Sequence, residues 1–134
     1  MNNIEHIAFA VRSLSNAIPL FEKLLGTPCY KTETVDTEKV KTAFFKTGES
    51  KVELLESLSE DGVIAKFIAK KGEGMHHVAF AVEDIEAEIL RLKAEGFEFI
   101  NEVPRKGADN KLICFLHPKS TNGILIELCQ EIGR

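Results

Sequence analysis

No apolar run in this sequence exceeds a few residues, so no segment is long enough to cross a bilayer as a helix. The first residues carry no basic stretch leading into an apolar one, which predicts no secretory signal. There is no excess of positive charge: 17 Lys and Arg stand against 21 Asp and Glu, net −4, so no basic field draws in nucleic acid or anionic lipid. An acidic total still leaves room for an anionic small ligand, because a few local lysines can dominate one pocket. Cysteine is scarce. Cys29, Cys114 and Cys129 are odd in number, widely spaced and form no CxxC pair, which suits a reducing cytoplasm. No GxGxxG, P-loop, GxSxG or HExxH motif is present, so the common signatures of dinucleotide, phosphate, serine-hydrolase and zinc-protease chemistry are missing. What remains is 134 residues, 44% apolar and 28% charged, enough for one domain that buries its core without disulfides or a structural metal.

The sequence repeats itself. Residues 6–11 read His-Ile-Ala-Phe-Ala-Val and residues 77–82 read His-Val-Ala-Phe-Ala-Val, half a chain apart and differing only at Ile7 and Val78. Each copy leads into an apolar-periodic stretch that stops at a glycine, Gly26 or Gly96, and each half closes on a shorter echo, Val52-Glu53-Leu54 and Ile126-Glu127-Leu128. An internal duplication is the simplest account.

Each half reads as strand, helix, strand, strand, strand. In the first half the strands are expected near 4–11, 29–35, 39–46 and 51–57. Ser15 caps a helix to residue 25, Pro19 falls in its first turn, and Ile18, Phe21, Leu24 and Leu25 form its buried face. In the second half the strands are expected near 75–82, 97–103, 111–117 and 123–130, with a helix from an Asp84 cap to residue 95. Between them Ser59 is the expected cap of a linker helix bearing Val63, Ile64, Phe67 and Ile68, broken by the glycines at 72 and 74. The expected organisation is a single α+β domain over 1–134: module 1 at about 1–57, linker helix at about 59–73, module 2 at about 74–134.

Strand alternation separates the repeated residues by face. Ile7, Phe9 and Val11 form a bulky apolar face toward the helix; His6, Ala8 and Ala10 form the other, and His77, Ala79 and Ala81 match them. The alanines on that face are expected to leave space for a ligand. Glutamate is a poor strand former, and a carboxylate buried alone is prohibitive, so Glu127 within its apolar strand calls for a partner or a metal. Glu53 lies beside Lys51, so a solvated edge position is the competing reading for it. The repeat binds the four together. A pseudo-twofold arrangement would gather His6, Glu53, His77 and Glu127 into a site of two imidazoles and two carboxylates, suited to cobalt, manganese, nickel, iron or zinc. His76 falls on the opposite face from His77 and reads as structural. His117, before Pro118, stays open, and Lys66, Lys70 and Lys71 read as a solvated helix face.

These motifs resemble the vicinal-oxygen-chelate, or glyoxalase-like, superfamily across essentially the whole chain. That resemblance implies two βαβββ modules forming one incomplete barrel around a metal. Within it, Lys51-Val52-Glu53-Leu54-Leu55-Glu56, Gly74-Met75-His76-His77-Val78-Ala79-Phe80, and Phe115-Leu116-His117-Pro118-Lys119-Ser120 with Gly123-Ile124-Leu125-Ile126-Glu127-Leu128 resemble the methylmalonyl-CoA epimerase family. The resemblance maps His6, Glu53, His77 and Glu127 onto four ligands of a divalent metal, cobalt being favoured; some members carry glutamine at the Glu53 position. It implies C2 proton abstraction and return through a metal-stabilised enolate of an acyl-CoA, with Glu127 as the catalytic base, and a homodimer. Lys119, Arg105 and Lys106 are candidates for coenzyme A phosphates. Some epimerases place a further carboxylate on the third strand, where Thr42 stands here.

Three other readings share the fold. A glyoxalase I type isomerase uses the same ligand set, but many carry an Asp-Pro-Asp-Gly-like turn where this chain has His117-Pro118-Lys119-Ser120, and often an arginine in the region of Phe9. A ring-cleaving dioxygenase would want iron on two histidines and one carboxylate. A binding protein of the bleomycin-resistance kind generally lacks a full ligand set.

Overall fold

The computed structural model describes residues 1–133; Arg134, the last residue of the expected second module, lies outside them. The chain divides into two compact units, residues 6–76 and residues 77 onward together with 1–5.

In the first unit, β1 (Ile4–Ala10) is followed by α1 (Leu14–Leu25), β2 (Lys31–Val35), β3 (Val40–Thr47), β4 (Ser50–Ser57) and α2 (Val63–Lys71). The strands lie in the order β2-β3-β4-β1: β2, β3 and β4 form an antiparallel meander, and β1 adds parallel to β4. The expected strand–helix–strand–strand–strand pattern is met. Gly48, at φ 65°, takes the left-handed backbone that the two-residue hairpin between Thr47 and Ser50 requires. The N-cap of α1 is Ser13, whose Oγ accepts from the Asn16 amide, in place of the expected Ser15. This start, earlier than expected, puts Pro19 well inside the helix. Leu14 and Ala17 are buried and Ile18, Phe21 and Leu25 half-buried in a core with Val11, Ala43, Phe45 and Leu54, whereas Leu24, expected on that face, points outward and is 70% exposed. The rings of Phe9, Phe21 and Phe45 run through this core at centroid spacings of 5.8 and 6.3 Å.

The linker helix corrects two expectations. Its N-cap is Gly62 with no side-chain bond, and Ser59 instead donates to the Asp61 carboxylate at 2.5 Å. The space beside Ala8 and Ala10 is also not a cavity. Both alanines are fully buried with Val40, Leu55 and Ile64 and are packed by Phe67 and Ile68. Small side chains there let α2 lie close on the strands.

In the second unit, β5 (Gly74–Ala81), α3 (Ile85–Ala94), β6 (Arg105–Lys106), β7 (Lys111–Leu116) and β8 (Ile126–Glu131) repeat the plan in the order β5-β8-β7-β6, with β5 parallel to β8. Ala81 exchanges hydrogen bonds with Asn2 and Asn3, so the first residues extend this unit's sheet. Asp84 caps α3 as expected, its Oδ1 accepting from the Ala87 amide at 3.1 Å. Ile85, Ile89 and Leu92 recur on one face and pack with Val82, Cys114, Leu116 and Leu128. The strand expected over 97–103 does not form. Phe99 makes an isolated bridge to Leu116, and pairing resumes only at Arg105. The His117 amide donates to the Glu98 carbonyl and the Ile100 amide to the Phe115 carbonyl, so contact with β7 is confined to the residues around that bridge.

Phe45 is fully buried at the centre of the first core. Replacing it with alanine should cost about 3–5 kcal/mol by urea unfolding. A loss below about 1 kcal/mol would show that this core does not hold the module.

Candidate functional site

Strand register builds the same small pattern in each unit. On β1 and β4, Ala8 lies opposite Glu53 and Phe44 lies opposite Glu53 from β3, with His6 two residues before Ala8. On β5 and β8, Ala79 lies opposite Glu127 and Phe115 lies opposite Glu127 from β7, with His77 two residues before Ala79. A histidine, an alanine, a glutamate and a phenylalanine thus tile one face of each module. The duplication is one of side-chain layout as well as of sequence.

The histidine and glutamate meet within each unit. His6 Nε2 lies 3.2 Å from Glu53 Oε1, and His77 Nε2 lies 3.0 Å from Glu127 Oε1. All four residues are nearly sealed, with 4 to 6% exposure. The solvated-edge reading of Glu53 therefore fails, since Leu54 and Leu55 beside it are buried too. The His77 ring stands edge-on to Phe115, at 5.5 Å and 89°, which fixes the plane of the imidazole.

The donor chemistry fits a divalent cation. Two imidazole nitrogens and two carboxylates in apolar strands supply nitrogen and oxygen ligands of the kind borderline metals take, and a cation would offset the cost of burying the carboxylates. Each unit supplies one such donor pair, His6 with Glu53 and His77 with Glu127.

The other expected positions are placed as follows. Thr42 is 1% exposed, and its Oγ1 donates to the Glu33 carbonyl at 3.3 Å, so a neutral hydroxyl occupies this position. His76 faces away from His77, as expected, and its ring packs edge-on against Phe67 of α2 at 4.9 Å. His117 is exposed, and its Nδ1 accepts from the Lys119 amide. Lys119 Nζ pairs with Glu98 Oε1 at 3.0 Å, both side chains being 60% exposed. Arg105 and Lys106 form β6 opposite Ile113 and Leu112. Sequence reasoning missed Phe44 and Phe115. Both are ordinary apolar strand residues, and only register sets them against the carboxylates. It also missed a cavity of about 460 Å³ on the α1 side of β1, lined by Phe9, Leu20 and Phe21 with Arg12 and Glu73.

Residues 5–115 match the sequence profile of the Glyoxalase/Bleomycin resistance protein/Dioxygenase superfamily. The chain belongs to this superfamily. Its α+β incomplete barrel is the fold expected above, and whole-chain similarity extends to solved structures. A hypothetical protein of Bacillus halodurans C-125 superposes with a TM-score of 0.96 at 42% identity, covering 99% of this chain and 96% of that one. Methylmalonyl-CoA epimerase of Mycobacterium tuberculosis superposes at 0.93 and 32% identity, covering 98% and 89%. A Streptomyces coelicolor methylmalonyl-CoA epimerase variant in complex with 2-nitronate-propionyl-CoA superposes at 0.92 and 31% identity, covering 99% and 96%. In sequence, the uncharacterized protein YqjC of Bacillus subtilis is 40% identical over 133 residues, 99% of this chain and 95% of that one. The ethylmalonyl-CoA/methylmalonyl-CoA epimerase of Cereibacter sphaeroides is 36% identical over 132 residues, 97% and 98% of the two chains. The human mitochondrial methylmalonyl-CoA epimerase is 34% identical over 131 residues, 97% of this chain and 74% of that one.

Burial pushes the Cys114 thiol up from 9.0 to about 12, and the Glu127 carboxylate adds to the shift. A raised thiol keeps its proton, so Cys114 should resist iodoacetamide at pH 8 in the native protein, while half-buried Cys29 reacts and both react in urea. Equal native labelling of the two by mass spectrometry would contradict this burial. The same shift predicts stability that is full below pH 9 and falls as the pH rises from 9 toward 12, because the unfolded chain releases the proton first.

Proposed function

We propose that this chain is a metal-dependent methylmalonyl-CoA epimerase. The observation that carries the reading is the pair of buried His–Glu contacts, one in each module, in a chain that matches named epimerases over nearly its whole length. His6, Glu53, His77 and Glu127 are the proposed ligands of one divalent cation. When bound, the cation supplies positive charge against the negative charge that develops on the thioester oxygen.

The chain's own residues do the rest. Glu127 removes the C2 proton of the malonyl thioester: the C2–H bond breaks, the proton moves to a carboxylate oxygen, and the electron pair passes into the enolate. Reprotonation on the opposite face forms the C2–H bond of the other epimer. Glu127 is suited to this because its strand is apolar and His77 Nε2, 3.0 Å away, orients one carboxylate oxygen. Phe115 and Phe44 keep water from the two carboxylates. Thr42 cannot act as the second base, so the returned proton must come from another group. The reading includes a cytoplasmic location, on the number and spacing of the cysteines, and a homodimer, on resemblance alone.

The protein should be stripped of metal, reloaded with cobalt and given one epimer of methylmalonyl-CoA in deuterium oxide. The expected result is deuterium at C2 with loss of chirality, reduced at least 100-fold in Glu127→Gln. Exchange no faster than cobalt alone would sink the proposal, and turnover of the methylglyoxal–glutathione hemithioacetal would then favour the glyoxalase I reading. Metal occupancy has its own readout. Cobalt should raise the melting temperature of the wild type and of Glu53→Gln, since an amide oxygen can replace that donor, but not that of His6→Ala. Equal cobalt stabilisation of His6→Ala would remove His6 from the ligand set.

A further inference from the structure

Inversion at C2 needs two proton carriers, and Glu127 is one. The face of the first module that carries Glu53 holds one further carboxylate. Phe44 of β3 is the strand partner of Glu53, and alternation puts Thr42 on the same face; Glu33 of β2 is the strand partner of Thr42. The other charged groups on that face are lysines. An ammonium group at neutral pH can give a proton but has no lone pair with which to take it back, so it serves one direction of a reversible reaction only. A carboxyl group serves both.

The second module differs at the same place. Ile113 stands two residues before Phe115, as Thr42 stands two before Phe44, and its partner on the outer strand is Arg105. The duplicated register thus sets a guanidinium on the edge of the module that bears Glu127 and a carboxylate on the edge of the other. Across the sheet, Glu33 is two strands and two residues from Glu53, roughly 12 Å between their Cα positions. Two glutamate side chains reaching into that gap leave room for a malonyl unit between them. Exposure separates the two carriers as well. The Glu33 side chain is 31% exposed, with Oε1 3.4 Å from Lys31 Nζ, whereas Glu127 is 5% exposed. Each turnover leaves one carboxyl protonated and the other ionised, and a carrier in touch with water can be reset from it.

We infer that Glu33 is the second acid/base residue of the epimerisation, the group that returns the proton that Glu127 removes. Its O–H bond breaks, the enolate electron pair forms the new C2–H bond, and the carboxylate is reprotonated from water. In the reverse direction Glu33 takes the C2 proton and Glu127 gives it back. This rests on the epimerase reading above and goes beyond it by naming the missing carrier.

Giving each epimer of methylmalonyl-CoA separately to the cobalt-loaded protein in deuterium oxide tells the two carriers apart. The wild type should label both epimers at C2 with loss of chirality. In Glu33→Gln, epimerisation should fall at least 100-fold. One epimer should still exchange its C2 hydrogen with chirality retained, through Glu127, while the other does neither; Glu127→Gln should show the mirror pattern. Glu49→Gln, in the β3–β4 hairpin, should behave as wild type. Cobalt should raise the melting temperature of Glu33→Gln as much as that of the wild type, which shows that the variant folds and keeps its metal site. Wild-type epimerisation by Glu33→Gln, equal loss of exchange from both epimers, or loss of the cobalt effect would each overturn the inference and leave the epimerase reading standing. A wild type that exchanges no faster than cobalt alone would sink that reading, and the role of Glu33 with it.

Discussion

Two carboxylates buried in β-strands set the terms for the rest of the molecule. An ionised glutamate 4 or 5% exposed among leucines and isoleucines is untenable unless a partner or a cation offsets its lost hydration. The fold supplies the partner from a neighbouring strand in the same module, His6 for Glu53 and His77 for Glu127. That requirement fixes the parallel pairing of the first and last strands of each module, because a one-residue slip would send the histidine or the glutamate to the helix face. It also explains the alanine between them. A larger side chain opposite the carboxylate would separate it from the imidazole.

The two modules use one plan but cover it differently. In the first, α2 lies over Ala8, Ala10 and Leu55, so the small residues that suggest a cavity make room for a helix. In the second, Ala79 packs with Ile113, Cys129 and Phe115. The charged side chains differ as well. The first module places Lys31, Lys46 and Lys51 on the face of its carboxylate, and where it has Thr42 two residues before Phe44 the second has apolar Ile113 two residues before Phe115.

Much of the site was legible because duplication repeats its errors as well as its signals. A lone histidine on a strand says little, but His6 and His77 open the same six-residue motif, and Glu53 and Glu127 close the same short echo. The boundaries were less legible. Ser13 and Ser15 offer the same capping chemistry, and only the depth to which Leu14 and Ala17 pack decides between them. The strand expected over 97–103 has suitable residues, yet it is reduced to a single bridge at Phe99.

The sequence by itself determined the duplication, the α+βincomplete-barrel plan, the four candidate ligands and the faces they occupy, since period-two alternation and repetition are local properties of a chain. Only the tertiary structure decided which strands pair and in what register. That register set Phe44 and Phe115 against the carboxylates, brought Lys46 opposite Lys51, and turned Leu24 outward. Register depends on contacts between residues distant in the chain, and no local pattern encodes which distant partner a strand will meet.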